Sequence, residues 1–135
     1  MIRKIPSETT TFHFHNENPK GRRTGDCVIR AIARASSKSW EDTLTGLYTV
    51  ALRVKSELAY HDCYERYLAE QGCLKHAQPR KTDRTKYTVA EWCRLHPHST
   101  MVISVARHLT CIIEGKCNDI WDCTGMTVLN YWTKI

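Results

Sequence analysis

At 135 residues, with 41% hydrophobic and 25% charged side chains, the chain has room for one globular domain whose core needs neither metal nor disulfide support. Its net charge of +6 gives some affinity for anionic surfaces, but the excess is modest for a dedicated DNA binder and no recognised nucleic-acid motif accompanies it. The segment from Met1 to Glu8 lacks the apolar centre of a signal peptide and no later run approaches membrane-spanning length, so the expected location is cytoplasmic, with no membrane partner.

Residues 1–9 read as weakly ordered, and Thr10 to His15 then alternates as a short strand with Phe12 and Phe14 on one face. This gives an N-terminal segment over 1–15 and a single domain over 16–135, with a helical half at about 24–97 and a sheet half at about 100–133. The turn formers of Asn16 to Gly21 deliver the chain to a helix opening near Asp26, where Gly25 permits a sharp turn and Thr24 or Asp26 can cap. Val28, Ala31, Ile32 and Ala35 share one face of that helix, which places Cys27 in its first turn. Unpaired N–H groups and the positive end of the helix dipole favour a thiolate there.

Ser39 caps a second helix whose stripe Trp40, Leu44, Leu47, Ala51, Val54 and Leu58 steps by fours and threes, as core residues do. A third helix runs from about Tyr60 to Gln71 with Tyr60, Tyr64, Tyr67 and Leu68 inward, and Gly72 ends it. Thr88-Val89-Ala90-Glu91 is a capping-box pattern opening a short fourth helix that Pro97 closes. Strands follow at Thr100 to Val105, His108 to Ile113, Cys117 to Asp122 and Val128 to Trp132, so the expected class is α+β, helices packed on an antiparallel sheet.

Seven cysteines with no Cys-x-x-Cys pair read as free thiols in a reducing compartment. Cys93, His96 and His98 lie close together and His13 and His15 alternate, but no second close ligand pair has a usual structural-zinc spacing, so neither a metal nor a cofactor is expected. Basic residues gather at Lys20, Arg22 and Arg23 and again from Lys75 to Lys86, where Arg80, Lys81 and Arg84 are the candidate contacts for an acidic protein or a nucleic acid.

Nucleophilic catalysis by a cysteine needs a thiolate, a histidine to hold and return its proton, and a polar group to orient that histidine. A three-residue turn through Glu114, Gly115 and Lys116 would set Ile113 against Cys117 and His108 against Asp122 on one face of the sheet. A two-residue turn would shift that register, which keeps Asp119 as the fallback acid.

The segments Gly25-Asp26-Cys27-Val28-Ile29-Arg30-Ala31, Arg107-His108-Leu109-Thr110 and Asp119-Ile120-Trp121-Asp122 resemble those of small papain-like cysteine peptidase homologues of bacteria and their phages, related in layout to the bacteriocin-leader peptidases. The resemblance covers roughly residues 16–133 and implies a papain-like fold with Cys27 as nucleophile, His108 as general base and acid, and Asp122 as orienting residue. It implies a thiol hydrolase that cleaves a peptide or isopeptide bond through an acyl-enzyme, with acyl transfer or deamidation as variants. Where such enzymes carry an oxyanion-stabilising glutamine, six residues before Cys27, this chain has Gly21; Asn18 or Asn16 could supply the amide instead. Arg107 stands where a small residue is expected. The alternative is a papain-fold binding protein of phage type that occupies a host protein or nucleic acid without turnover.

Overall fold

The first helix forms where expected, because its apolar residues recur at helical spacing against a sheet that later segments supply. In the computed structural model, which describes residues 5–135, a short strand β1 (Phe12–Phe14) precedes three helices, α1 (Cys27–Ser36), α2 (Trp40–Val54) and α3 (His61–Glu70). Strand β2 (Leu74–His76) and helix α4 (Val89–Leu95) come next. Strands β3 (Thr100–Val105), β4 (His108–Ile113), β5 (Lys116–Asp119) and β6 (Asn130–Thr133) complete the α+β architecture.

The strands form one sheet in the order β1-β5-β4-β3-β6-β2. It is mixed: the C-terminal strands β3 to β6 pair antiparallel as expected, and β2 pairs antiparallel with β6, but β1 lies parallel to β5. β1 is therefore an edge strand of the main sheet and not part of a separate segment. The expected weak order over residues 1–9 lies, for residues 1–4, outside the described residues; the Glu8 carboxylate accepts the Phe14 N–H at 2.6 Å and contacts His13 Nδ1 at 2.6 Å, tying this end down. β2 has no counterpart in the sequence reading, since Leu74-Lys75-His76 is short and largely exposed. Its partner β6 holds it.

Helix ends follow local chemistry. The Ser39 side chain accepts the Asp42 N–H, Thr88 and Glu91 form a reciprocal capping box, and Gly72 takes φ 87° just beyond α3. The α1 start differs from expectation: Asp26 is the N-cap residue, but its carboxylate makes no cap hydrogen bond. In α3, Cys63, Tyr67 and Leu68 are buried, whereas Tyr60 is exposed.

Two apolar clusters flank the sheet. On one face α1, α2 and α3 pack Ile32, Leu47 and Leu68 against Val102, Leu109 and Trp132; on the other, α4 packs Val89 and Trp92 with Phe12, Met101, Ile103 and Ile112. Alternate residues of β3 and β4 serve opposite faces, as the period of two requires. Among the described residues no helix is long and apolar enough to cross a membrane.

Candidate active site

The β4–β5 turn decides which aspartate meets His108. It contains two residues, Glu114 at φ 48° and Gly115 at φ 75°, a left-handed pair whose twist suits a hairpin, and Ile113 pairs with Lys116. This is one residue shorter than the turn that would oppose His108 to Asp122. The register sets Asp119 on the face carrying Thr110 and His108, and its Oδ2 lies 2.6 Å from His108 Nε2. Asp122, expected opposite His108, does not meet it: β5 has ended, and its carboxylate accepts from the N–H (3.1 Å) and hydroxyl (2.5 Å) of Thr124.

Cys27 occupies the first residue of α1, half-buried, and lines one cleft with His108 and Leu109, whose ring and backbone N–H act on its sulfur. Because Nε2 of His108 faces Asp119, Nδ1 is the ring nitrogen left for the sulfur. Burial pushes the Cys27 thiol up, but the His108 and Leu109 hydrogen bonds and the His108 charge outweigh it, and the pKa falls below its ordinary 9.0. His108 moves oppositely: burial lowers it, while hydrogen bonds with Asp119, Cys123 and Cys27 and the Asp119 charge raise it to about 11. The two shifts run in the directions that a thiolate–imidazolium pair requires. Cys63, Cys73, Cys93, Cys111 and Cys123 are all shifted the other way, mainly by burial in the first four and by Cys117 together with burial in Cys123.

Arg30, which the sequence reading did not assign, anchors the acid. Its Nε bonds Asp26 Oδ1 at 2.8 Å and one terminal nitrogen meets Asp119 Oδ1 at 3.1 Å, with all three side chains at least nine-tenths buried. The Asp119 Oδ1 also accepts the Ile120 N–H at 2.7 Å. Burial works to raise Asp119, but the His108 hydrogen bond and charge, Thr110 and Arg30 hold it below the usual aspartate value. Asp26 is engaged by Arg30, Asn18 and Trp40, which explains why it leaves the helix start uncapped. The sequence signal for Arg30 is an arginine four residues after Asp26, set among the apolar Val28, Ile29, Ala31 and Ile32. Trp121 adds a second unassigned contact, its ring edge-on to His108 with centroids 5.0 Å apart.

The two asparagines do not serve as expected. Asn18 Nδ2 donates to Asp26 and its oxygen accepts the Lys20 and Arg22 N–H groups, while Asn16 Nδ2 donates to the Arg22 carbonyl. Their amides build the loop before α1. Loop position was readable from composition, but the buried Asp26 that claims Asn18 was not.

A cleft of about 220 Å³ opens beside the sulfur, lined by Cys27, Val28, Ala59, His61, Tyr64, Val105, Arg107, His108 and Leu109. The basic stretch lies elsewhere, beside α4. Arg80 and Lys86 bridge across a short loop, Lys81 pairs with Glu91 at 2.5 Å, and Arg80 bonds the Arg84 carbonyl, so of the three candidate contacts Lys81 has its charge already engaged. The Cys/His groups weighed as metal ligands in the sequence are engaged otherwise: Cys93 is buried with its sulfur toward the Thr11 carbonyl and His96 packs on Trp92, while His13 and His15 pair with Glu8 and Glu17. The group that does gather among the described residues is His108, Asp119 and Cys123, with ligand atoms within 4.8 Å of one another. In this group His108 and Asp119 already bond each other.

No family model, curated relative or solved structure matches the chain.

Proposed function

We propose that the protein is a papain-like thiol hydrolase acting in the cytoplasm on a peptide or isopeptide bond. The observation that carries this reading is the line Cys27–His108–Asp119, in which a half-buried sulfur at a helix start shares a histidine with a buried, arginine-anchored carboxylate. The Cys27 thiolate attacks the carbonyl carbon, and the carbonyl electron pair moves onto oxygen. Collapse breaks the C–N bond as the His108 imidazolium protonates the departing amine, leaving a thioester. Water then attacks the thioester, gives a proton to the neutral imidazole, and releases the acid and the thiolate. Asp119 keeps the ring oriented throughout and balances its charge.

The developing oxyanion falls to the backbone N–H at the α1 start, which no side chain caps. Tyr64 is the proposed second donor, since it is the one hydroxyl-bearing side chain among those lining the cleft, and its ring is held edge-on by Trp132 at 6.0 Å.

A burst experiment with p-nitrophenyl acetate tests the reading without knowledge of the natural substrate. One equivalent of nitrophenol with an acetyl group on Cys27, absent in Cys27→Ala and slow in His108→Ala, is the expected result. Absence of acylation in the wild-type protein refutes it. The engagement of Asn16 and Asn18 by the loop favours a second reading, a binding protein of the same fold that does not turn over. Under that reading the acetyl group would persist on Cys27, and the exposed Arg80 and Arg84 would contact the partner.

A further inference from the structure

We infer that Arg107 makes the Cys27 cleft selective for substrates bearing a carboxylate within a residue or two of the attacked carbonyl. The inference rests on the thiol-hydrolase reading and names its substrate class. Arg107 is the second residue of the two-residue turn joining β3 to β4, where Val105 pairs with His108, and its φ is 58°. Glycine occupies that left-handed position without steric cost, whereas an arginine there strains its own backbone. The strain directs attention to the side chain.

That side chain lines the cleft with Cys27 and His108. Four other arginines are engaged, Arg30 with Asp26 and Asp119, Arg34 with Asn118, and Arg53 and Arg66 with Glu70, while Arg22, Arg23, Arg80, Arg84 and Arg94 have no carboxylate partner among the described residues but do not line the cleft. Arg107 is exposed and has no carboxylate partner among the described residues. The Cys27 thiolate and His108 imidazolium cancel at close range, which leaves the guanidinium as the uncompensated charge of the cleft. The nearby acids do not fill this role, because Asp62 and Glu65 contact His61 at 3.2 and 3.3 Å and Glu65 also pairs with Lys75. The other side chains that line the cleft with polar groups, His61 and Tyr64, include no acid. A guanidinium is a planar fork that takes a carboxylate through two parallel hydrogen bonds. A cleft of about 220 Å³ holds the scissile group and one flanking side chain, so the recognised carboxylate must be close in sequence to the cut.

Such a carboxylate has two sources, an Asp or Glu side chain or a free chain terminus. Alkylation separates this inference from the reading beneath it. Iodoacetate carries the carboxylate and iodoacetamide is its neutral analogue, so the ratio of their rates at Cys27 reports anion recognition alone. In Arg107→Gly, which suits the left-handed backbone, the ratio should fall about fivefold, and Arg107→Lys, which keeps the charge but not the fork, should recover only part of it. A fast Cys27 with an unchanged ratio overturns the carboxylate inference by itself. A Cys27 slow toward both reagents removes the hydrolase reading and this inference with it. Digestion of a defined peptide mixture then identifies the source: internal cuts beside Asp or Glu mean a side chain, and stepwise loss of C-terminal residues means the terminus. Cuts with no neighbouring carboxylate, or a uniform loss over all cuts in Arg107→Gly, overturn the inference.

Discussion

His108 Nε2 meets Asp119 Oδ2 at 2.6 Å across the β4–β5 hairpin, while Arg30 holds the other oxygen of the same carboxylate from α1. One aspartate thereby joins the sheet to the helix that begins at Cys27. The side chain that orients the histidine also fixes the two halves of the site relative to each other, and several consequences can be measured.

Replacing Asp119 by Asn should lower the rate of Cys27 acylation by about 10²- to 10³-fold, because the amide no longer balances the imidazolium. Asp122→Asn should change it less than about twofold, since that carboxylate serves Thr124 in a local turn. Burst kinetics on both variants check the assignment, and equal losses would reject it.

The ionisation of Cys27 should be visible in its pH dependence. Thiolate absorbance is expected to appear with a midpoint below the ordinary value of 9.0 in the wild-type protein. In His108→Ala the midpoint should move above 9.0, because burial remains and the opposing imidazolium is gone. A midpoint indifferent to His108 would contradict the ion pair.

Much of this arrangement is legible in the sequence because it depends on local signals. The α1 pattern from Val28 to Ala35, the Ser39 cap, the Thr88–Glu91 box and the apolar β3 and β4 are all written in spacing and composition. What escaped was set by tertiary structure. The register of β4 on β5 turned on whether Lys116 belonged to the turn or the strand, and its placement in β5 exchanged Asp122 for Asp119. The parallel pairing of β1 with β5 joins segments more than a hundred residues apart, and no local pattern announces it. Arg30 looked like one charge on a helix until the fold buried it between two carboxylates.

That turn can itself be tested. Gly115 sits at φ 75°, and an added Cβ would come within 3.1 Å of the Pro97 Cα and 3.3 Å of the Cys93 carbonyl oxygen. Gly115→Ala should cost about 1–2 kcal/mol of stability from the left-handed backbone alone. Denaturant unfolding measures it, and a neutral result would mean that the turn relaxes freely.

Removing the anchor should be more damaging. Arg30→Met leaves Asp26 and Asp119 buried without their shared cation, at a cost of about 3 kcal/mol. Arg30→Lys should recover part of the stability but less of the acylation rate, because one ammonium cannot reproduce the fork that reaches both carboxylates. Chemical denaturation paired with burst kinetics separates the two effects.

Stability should also follow the histidine. A pKa raised from 6.5 to about 11 contributes stability that is complete below the unfolded-state value of 6.5 and declines as pH rises toward the folded-state value. The lowered Asp119 contributes stability above its ordinary 3.8 that is lost as pH falls through its folded-state value. The lowered Cys27 adds stability in the alkaline range, opposing His108, so the comparison is made without it. The gap in melting temperature between Cys27→Ala and Cys27→Ala/His108→Gln should be widest between about pH 4 and 6.5 and close as the solution becomes alkaline. A gap that widens with pH would reverse the assigned shift.

The central claim is that His108 activates Cys27, and residue-resolved alkylation at neutral pH tests it most directly. With iodoacetamide at limiting concentration, peptide mass spectrometry should find Cys27 labelled well ahead of Cys73, another half-buried thiol, and that lead should vanish in His108→Ala. Labelling of Cys27 no faster than Cys73, or a lead that survives the loss of His108, would contradict the account.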